Sequence, residues 1–149
     1  MSIAVRRAKD TDVDWLLEQL RAFSDFFGAK RPLFADREYA NIFISTLVSD
    51  HLVLVAECGE RGLLGFIAGT VGEHPYNKEP LLAEQFWWVP ECHRGSRAGL
   101  LLLKEFVEWG KANRRLIAFS LEAKSPVNDR CLTKLGFKLF EYSYLWEAS

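Results

Sequence analysis

Hydrophobic positions along the chain form short continuous runs that alternate with stripes at helical spacing. Residues 3–7 are compatible with a short strand. Asp10, Thr11 and Asp12 supply helix N-cap chemistry, and Leu16, Leu20 and Phe23 recur behind them at helical intervals. Residues 24–35 read as an aromatic-rich loop. Asp36 caps a second helix with the stripe Tyr39, Phe43 and Leu47, and Ile42 alongside. Residues 52–57 and 63–71 read as strands joined by the turn Gly59-Glu60-Arg61-Gly62. After a loop at 74–80, residues 81–89 form a third long strand, and a helix runs from about Ala98 to Ala112. Residues 116–121 are a further strand. Ser125 and Pro126 open a short helix with Val127, Cys131 and Leu135 on one face, and Gly136 ends it. Residues 137–147, with Tyr142, Tyr144 and Trp146 alternating, predict a closing strand.

The order β-α-α-β-β-β-α-β-α-β predicts a mixed α/β fold with an antiparallel first half and a crossover second half. No repeat or linker interrupts it, so residues 1–149 read as one domain. The chain is 49% hydrophobic and 26% charged, the balance of a globular protein. No apolar run reaches the roughly 18 residues of a membrane span, so no span and no membrane partner are expected, and the N-terminus lacks a signal-peptide apolar region. Cys58, Cys92 and Cys131 are odd in number and widely spaced, and read as reduced thiols of a cytoplasmic protein.

Net charge is −1, which argues against nucleic acid as a partner. The charge is unevenly placed, with a balance of −4 over residues 1–89 and +3 over residues 90–149. A polyanionic ligand suits the second half better. His93 beside Cys92 lacks further ligands at metal-binding spacing, and His51 and His74 are isolated, so no metal is expected.

The richest stretch is Arg94-Gly95-Ser96-Arg97-Ala98-Gly99, between the strand at 81–89 and the amphipathic helix that begins Leu100-Leu101-Leu102-Leu103. Strand, Gly-containing turn with two arginines, then helix aims backbone N–H groups and a positive helix end at one point, an arrangement that suits a phosphate.

This stretch resembles the acyl-CoA loop of the GCN5-related N-acetyltransferases (the GNAT family). The long strand before it, the Arg-Gly-x-x-x-Gly turn and Lys134-Leu135-Gly136-Phe137 after a short helix carry the resemblance over nearly the whole chain. One departure stands out. The family's turn reads Arg/Gln-x-x-Gly-x-Gly/Ala; Arg94 and Gly99 fit, but Arg97 replaces the first glycine. Arginine takes a positive φ only at a cost, so an altered turn is expected, offset by an ion pair of Arg97 with phosphate. The resemblance implies a mostly antiparallel sheet flanked by helices, whose parallel strands 81–89 and 116–121 splay to admit pantetheine. It also implies acetyl-CoA as cosubstrate and an amine acceptor, on a small molecule or a protein. The cofactor-binding set it implies is the backbone of Trp87, Trp88 and Val89, the loop residues Arg94, Gly95, Ser96, Arg97, Ala98 and Gly99, and Ser125 and Asn128 at the start of the short helix.

Amine acylation needs a group to take the amine's proton and a donor for the developing oxyanion. Glu84, mid-strand in apolar company, is the candidate base, since apolar surroundings raise a carboxylate's pKa. Gln85 faces the other way, and a one-residue bulge would exchange the two. The usual general-acid tyrosine position holds Leu132, which leaves Tyr142 or Tyr144 as substitutes. Trp87 and Trp88 point to opposite faces, Phe26 and Phe27 are candidate walls of an acceptor site, and Cys131 reads as core. The last strand is an edge on which a homodimer can form. The alternative reading is a non-catalytic CoA-binding or protein-binding module of the same architecture.

Overall fold

A computed structural model describes residues 2–27 and 36–146. Strand β1 (Ala4–Arg7) leads through a 3-10 turn (Asp10–Asp12) into α1 (Val13–Phe26), followed by α2 (Arg37–Asp50). Strands β2 (Leu52–Cys58), β3 (Gly62–Glu73) and β4 (Pro80–Trp88) come next, then α3 (Ala98–Ala112), β5 (Leu116–Ala118) and α4 (Arg130–Lys134). The five strands form one sheet in sequence order. Neighbours are antiparallel except β4 and β5, which are parallel and joined by the α3 crossover. The expected mixed, mostly antiparallel sheet with a parallel pair is therefore present.

Two apolar layers hold the sheet. On one face, Leu16 and Leu20 of α1 and Ile44 and Leu47 of α2 pack on Phe66, Phe86 and Trp88. On the other, Ala98, Leu102 and Phe106 of α3 pack on Leu54, Ile67 and Leu82. Strand β4 contributes to both because it carries a bulge: Glu84 pairs with Gly69 and Phe86 with Ala68, leaving Gln85 as the extra residue. The extra residue reverses the alternation, so Leu82 lies under α3 while Phe86 and Trp88 lie under α1 and α2. Gly69 lets α3 approach this point. A Cβ there would stand 2.8 Å from the Phe106 ring.

Several local expectations are corrected. Helix α1 runs through Ser24 to Phe26, because Ser24 continues the buried stripe of Leu16 and Leu20. Residues 28–35 of the expected loop lie outside the described residues. Asp36 does cap α2, accepting from the Tyr39 N–H at 3.1 Å, but the buried stripe is Ala40, Ile44 and Leu47, and Tyr39 is exposed and stacked on Phe43. Asp12 stands at the N-cap position of α1 with no side-chain bond into that helix, and its carboxylate instead closes a capping box on the preceding 3-10 turn. It accepts two hydrogen bonds from Arg6 (2.8 and 3.1 Å) and one from the Lys9 N–H, and the guanidinium holds its carboxyl below the usual range. Helix α4 begins at Arg130 and not beside Pro126, since the Asn128 side chain takes the Arg130 N–H at 3.0 Å. The closing strand is absent over 137–146, where Phe140, Tyr142, Tyr144 and Trp146 stand exposed. Glu147 lies outside the described residues.

Candidate functional site

The parallel pair is short. Leu81 faces Leu116, Leu82 faces Ile117 and Ala83 faces Ala118, and there the ladder ends. The next residue on β4 is Glu84, on the α3 side of the sheet. Its Oε1 accepts from the Ser120 N–H at 3.3 Å across the fork, and further along Trp87 still meets Phe119 edge to face, 5.5 Å between ring centroids. Burial at this root raises the Glu84 pKa from its ordinary 4.5 to about 8, and the Ser120 N–H only partly opposes the shift. The bulge at Gln85 follows immediately. Gln85 turns to the other face, where its side chain is exposed and reaches Thr70 Oγ1 at 3.4 Å.

Beyond the fork lies a cleft of about 360 Å³, within the usual range for a small-molecule site. Trp87, Trp88 and Val89 at the end of β4 form its floor. The two tryptophans face opposite ways, as expected: Trp87 Nε1 donates to the Gly99 carbonyl at 3.1 Å, and Trp88 Nε1 donates to Gln19 Oε1 of α1 at the same distance. Phe26 and Phe27 close the α1 side, with Phe26 5.5 Å from Trp88 between ring centroids. Ser125, Pro126, Val127 and Cys131 form the opposite wall. Cys131, expected in the core, is only half-buried and lines this wall.

The turn into α3 supplies the remaining side through Arg94, Ser96, Gly99 and Leu100. Ser96 organises it, donating its hydroxyl to the His93 carbonyl (2.7 Å) and accepting from the Ala98 N–H (3.3 Å). The first bond of α3 proper runs from the Leu101 N–H to the Arg97 carbonyl. The N–H groups of Gly99 and Leu100 therefore have no carbonyl of their own helix to meet, and both residues line the cleft. A Cβ on Gly99 would sit 3.5 Å from Val89 and project among the lining atoms. This is a cradle of backbone donors kept open by a glycine, and it fits a diphosphate. Arg97 has φ −85° and ψ 5°, so it occupies the glycine position without the positive φ that would cost an arginine.

Other candidates are placed elsewhere. Gly95 and Arg97 are exposed on the turn, and Ala98 is buried under α3. Asn128 is used at the start of α4. Tyr142 is 74% exposed on the unpaired C-terminal segment, and no tyrosine lines the cleft among the described residues. Leu132, at the family's tyrosine position, is buried against Leu103 and Val107. Sequence reasoning missed Leu100, Pro126 and Val127, whose only signal was adjacency to Gly99 and Ser125. No group of metal ligands occurs among the described residues, and no helix there is long and apolar enough to cross a membrane.

A parallel pair that parts beside a helix N-terminus is a fold shared with solved acetyltransferases, and sequence comparison gives the family. The profile of the acetyltransferase (GNAT) family matches residues 15–137, and the chain belongs to that family. No curated protein matches it in sequence. Solved structures with the same fold include a ribosomal-protein-alanine N-acetyltransferase from Brucella melitensis biovar Abortus 2308 (14% identity, TM-score 0.75, covering 100% of this chain and 99% of that one). A transcriptional regulator from Bacillus halodurans C-125 aligns at 20% identity and TM-score 0.79, covering 99% and 100%. A predicted acetyltransferase from Clostridium acetobutylicum, solved with acetyl-CoA, aligns at 15% identity and TM-score 0.75, covering 98% and 96%.

Proposed function

We propose that this protein transfers an acetyl group from acetyl-CoA to a primary amine by direct attack of the amine on the thioester. One observation carries the reading: the β4–β5 ladder ends at Ala83 and Ala118, and beyond it a cleft runs from the end of β4 to the turn into α3, where Gly99 and Leu100 line it. Pantetheine supplies the thioester from the gap between the strands. The backbone of Trp87, Trp88 and Val89 lies beside it and polarises the carbonyl. Glu84, at the root of the fork, takes the amine's proton through solvent. With a pKa of about 8 it is a far stronger base than an ordinary carboxylate, though largely protonated below that pH. The reaction rate should therefore rise with pH to about 8. Ser125 on the wall and the backbone of residues 95–98 complete the hold on the cofactor.

A second reading has its own support. Because no tyrosine hydroxyl lines the cleft among the described residues, the cleft offers no such acid to a leaving thiolate, which suits a CoA-binding module without catalysis. One experiment separates them. The protein is incubated with acetyl-CoA and a panel of primary amines while free thiol is followed. Amine-dependent thiol release that falls roughly 10²–10⁴-fold in Glu84→Gln supports the enzyme. Tight CoA binding without release across the panel supports the module.

A further inference from the structure

The α1 side of the cleft is built from aromatic rings. Phe23 stands behind it, edge to face with Phe86 at 5.5 Å and with Trp88 at 5.7 Å, and 4.6 Å from Phe27. Phe26 meets Phe27 at 5.0 Å and Trp88 at 5.5 Å. Phe86 and Trp88 are buried, whereas Phe26 is 43% exposed. Phe26, Phe27 and Trp88 line the cleft, so a cluster anchored in the core presents its outer rings there. Support from behind holds those rings in place before a ligand arrives. Arg94 borders them, with its guanidinium 4.5 Å from the Phe26 ring centre and 4.9 Å from that of Trp88, and its Nε donating to the Val89 carbonyl at 3.0 Å. Among the described residues it is the one charged side chain that lines the cleft. Asp25 and Glu91 line a second hollow instead, and Phe26, Trp88 and Arg94 border both.

We propose that this ring wall selects the acceptor: the protein acts on an amine with a single cationic centre carried on a ring-bearing apolar body, and Phe26 and Phe27 are its specificity-determining residues. The proposal rests on the reading that acetyl transfer takes place in this cleft, and it names the acceptor class which that reading leaves open. A ring laid against Phe26 and Phe27 gains apolar burial and ring contacts that a bare alkyl chain lacks. A second ammonium group, as on a polyamine, meets the like charge of Arg94 and no carboxylate lining the cleft among the described residues.

Initial rates on the full chain with acetyl-CoA test this. The acceptors are 3-phenylpropylamine and n-propylamine, which differ by the ring and little in basicity, and spermidine. The wild type should favour the ring amine over n-propylamine by about tenfold or more in kcat/KM, chiefly through KM, and should use spermidine least. Phe27→Ala should shrink that preference to about twofold. Phe27→Leu keeps the apolar bulk, guards against a folding defect, and should give an intermediate ratio. Calorimetry of 3-phenylpropylamine on the CoA-bound protein reads the same wall without turnover, and Phe27→Ala should weaken that binding about tenfold. A wild type that prefers n-propylamine or spermidine, or a ratio unchanged in both variants, overturns the proposal and leaves acetyl transfer standing. Ring-amine binding that depends on Phe27, with no thiol released for any acceptor, supports the wall and overturns the acetyl-transfer reading. Neither binding nor turnover of the ring amine overturns both.

Discussion

Glu84→Gln gives the most direct check on the physical reasoning about the fork. In the folded protein this carboxyl holds its proton up to about pH 8, whereas in the unfolded chain it releases it near 4.5. Between those values the folded state binds more protons than the unfolded state, so wild-type stability falls as pH rises from about 4.5 to about 8 and levels off above. The full shift corresponds to roughly 4–5 kcal/mol. Glu84 is only half-buried, and solvent screening at the fork reduces that to about 2 kcal/mol. Glutamine keeps the shape, cannot ionise and is exempt from the decline. Urea unfolding of both proteins from pH 4 to pH 9 reads the difference. The glutamine variant should gain about 2 kcal/mol on the wild type across that range, or roughly 5 °C in Tm. Parallel stability curves would show that Glu84 titrates as a solvated carboxylate, and the desolvation argument would be wrong.

Gly69→Ala forces a methyl against the Phe106 ring and should cost about 1–3 kcal/mol in denaturant unfolding; adding Phe106→Leu should recover part of that loss, and strict additivity would refute the contact. Gly99→Ala meets only ordinary contacts, so Tm should hold or rise while CoA affinity by titration falls about tenfold; unchanged affinity would remove Gly99 from the cradle. Asp36→Ala should lower stability by about 0.5–2 kcal/mol through loss of the Tyr39 N–H bond, with Asp36→Asn largely neutral.

The order of elements was legible because long apolar stripes and turn residues declare themselves locally. So was the turn into α3, where Arg94, Ser96 and Gly99 reach the cleft, and so was the pairing of Trp87 and Trp88 with opposite faces. The position of the bulge was not. Sequence reading raised one as an open alternative, but only the β3 register puts it at Gln85 and leaves Glu84 under α3. The α2 stripe was read one residue out of phase, because Tyr39 is apolar enough to count yet packs on Phe43 at the surface. The closing strand failed for a different reason. Alternating aromatics satisfy the pattern, but a strand needs a ladder partner, and the described part of that segment has none. Tyr142 failed with it. Asn128 does not line the cleft, and its side chain accepts locally from the Arg130 N–H.

The extra residue in β4 has an evolutionary and engineering consequence. Because Gln85 is the residue in excess, its deletion would leave Glu84 opposite Gly69 and Phe86 opposite Ala68 and make the pairing regular. Leu82, Glu84 and Trp87 would stay on the α3 face and Phe86 and Trp88 on the α1 and α2 face, and what would go is the local bend that a bulge puts into the strand. A library that shortens the strand by the single codon of Gln85 should therefore retain folded members, as should one that varies Gln85 freely at constant length.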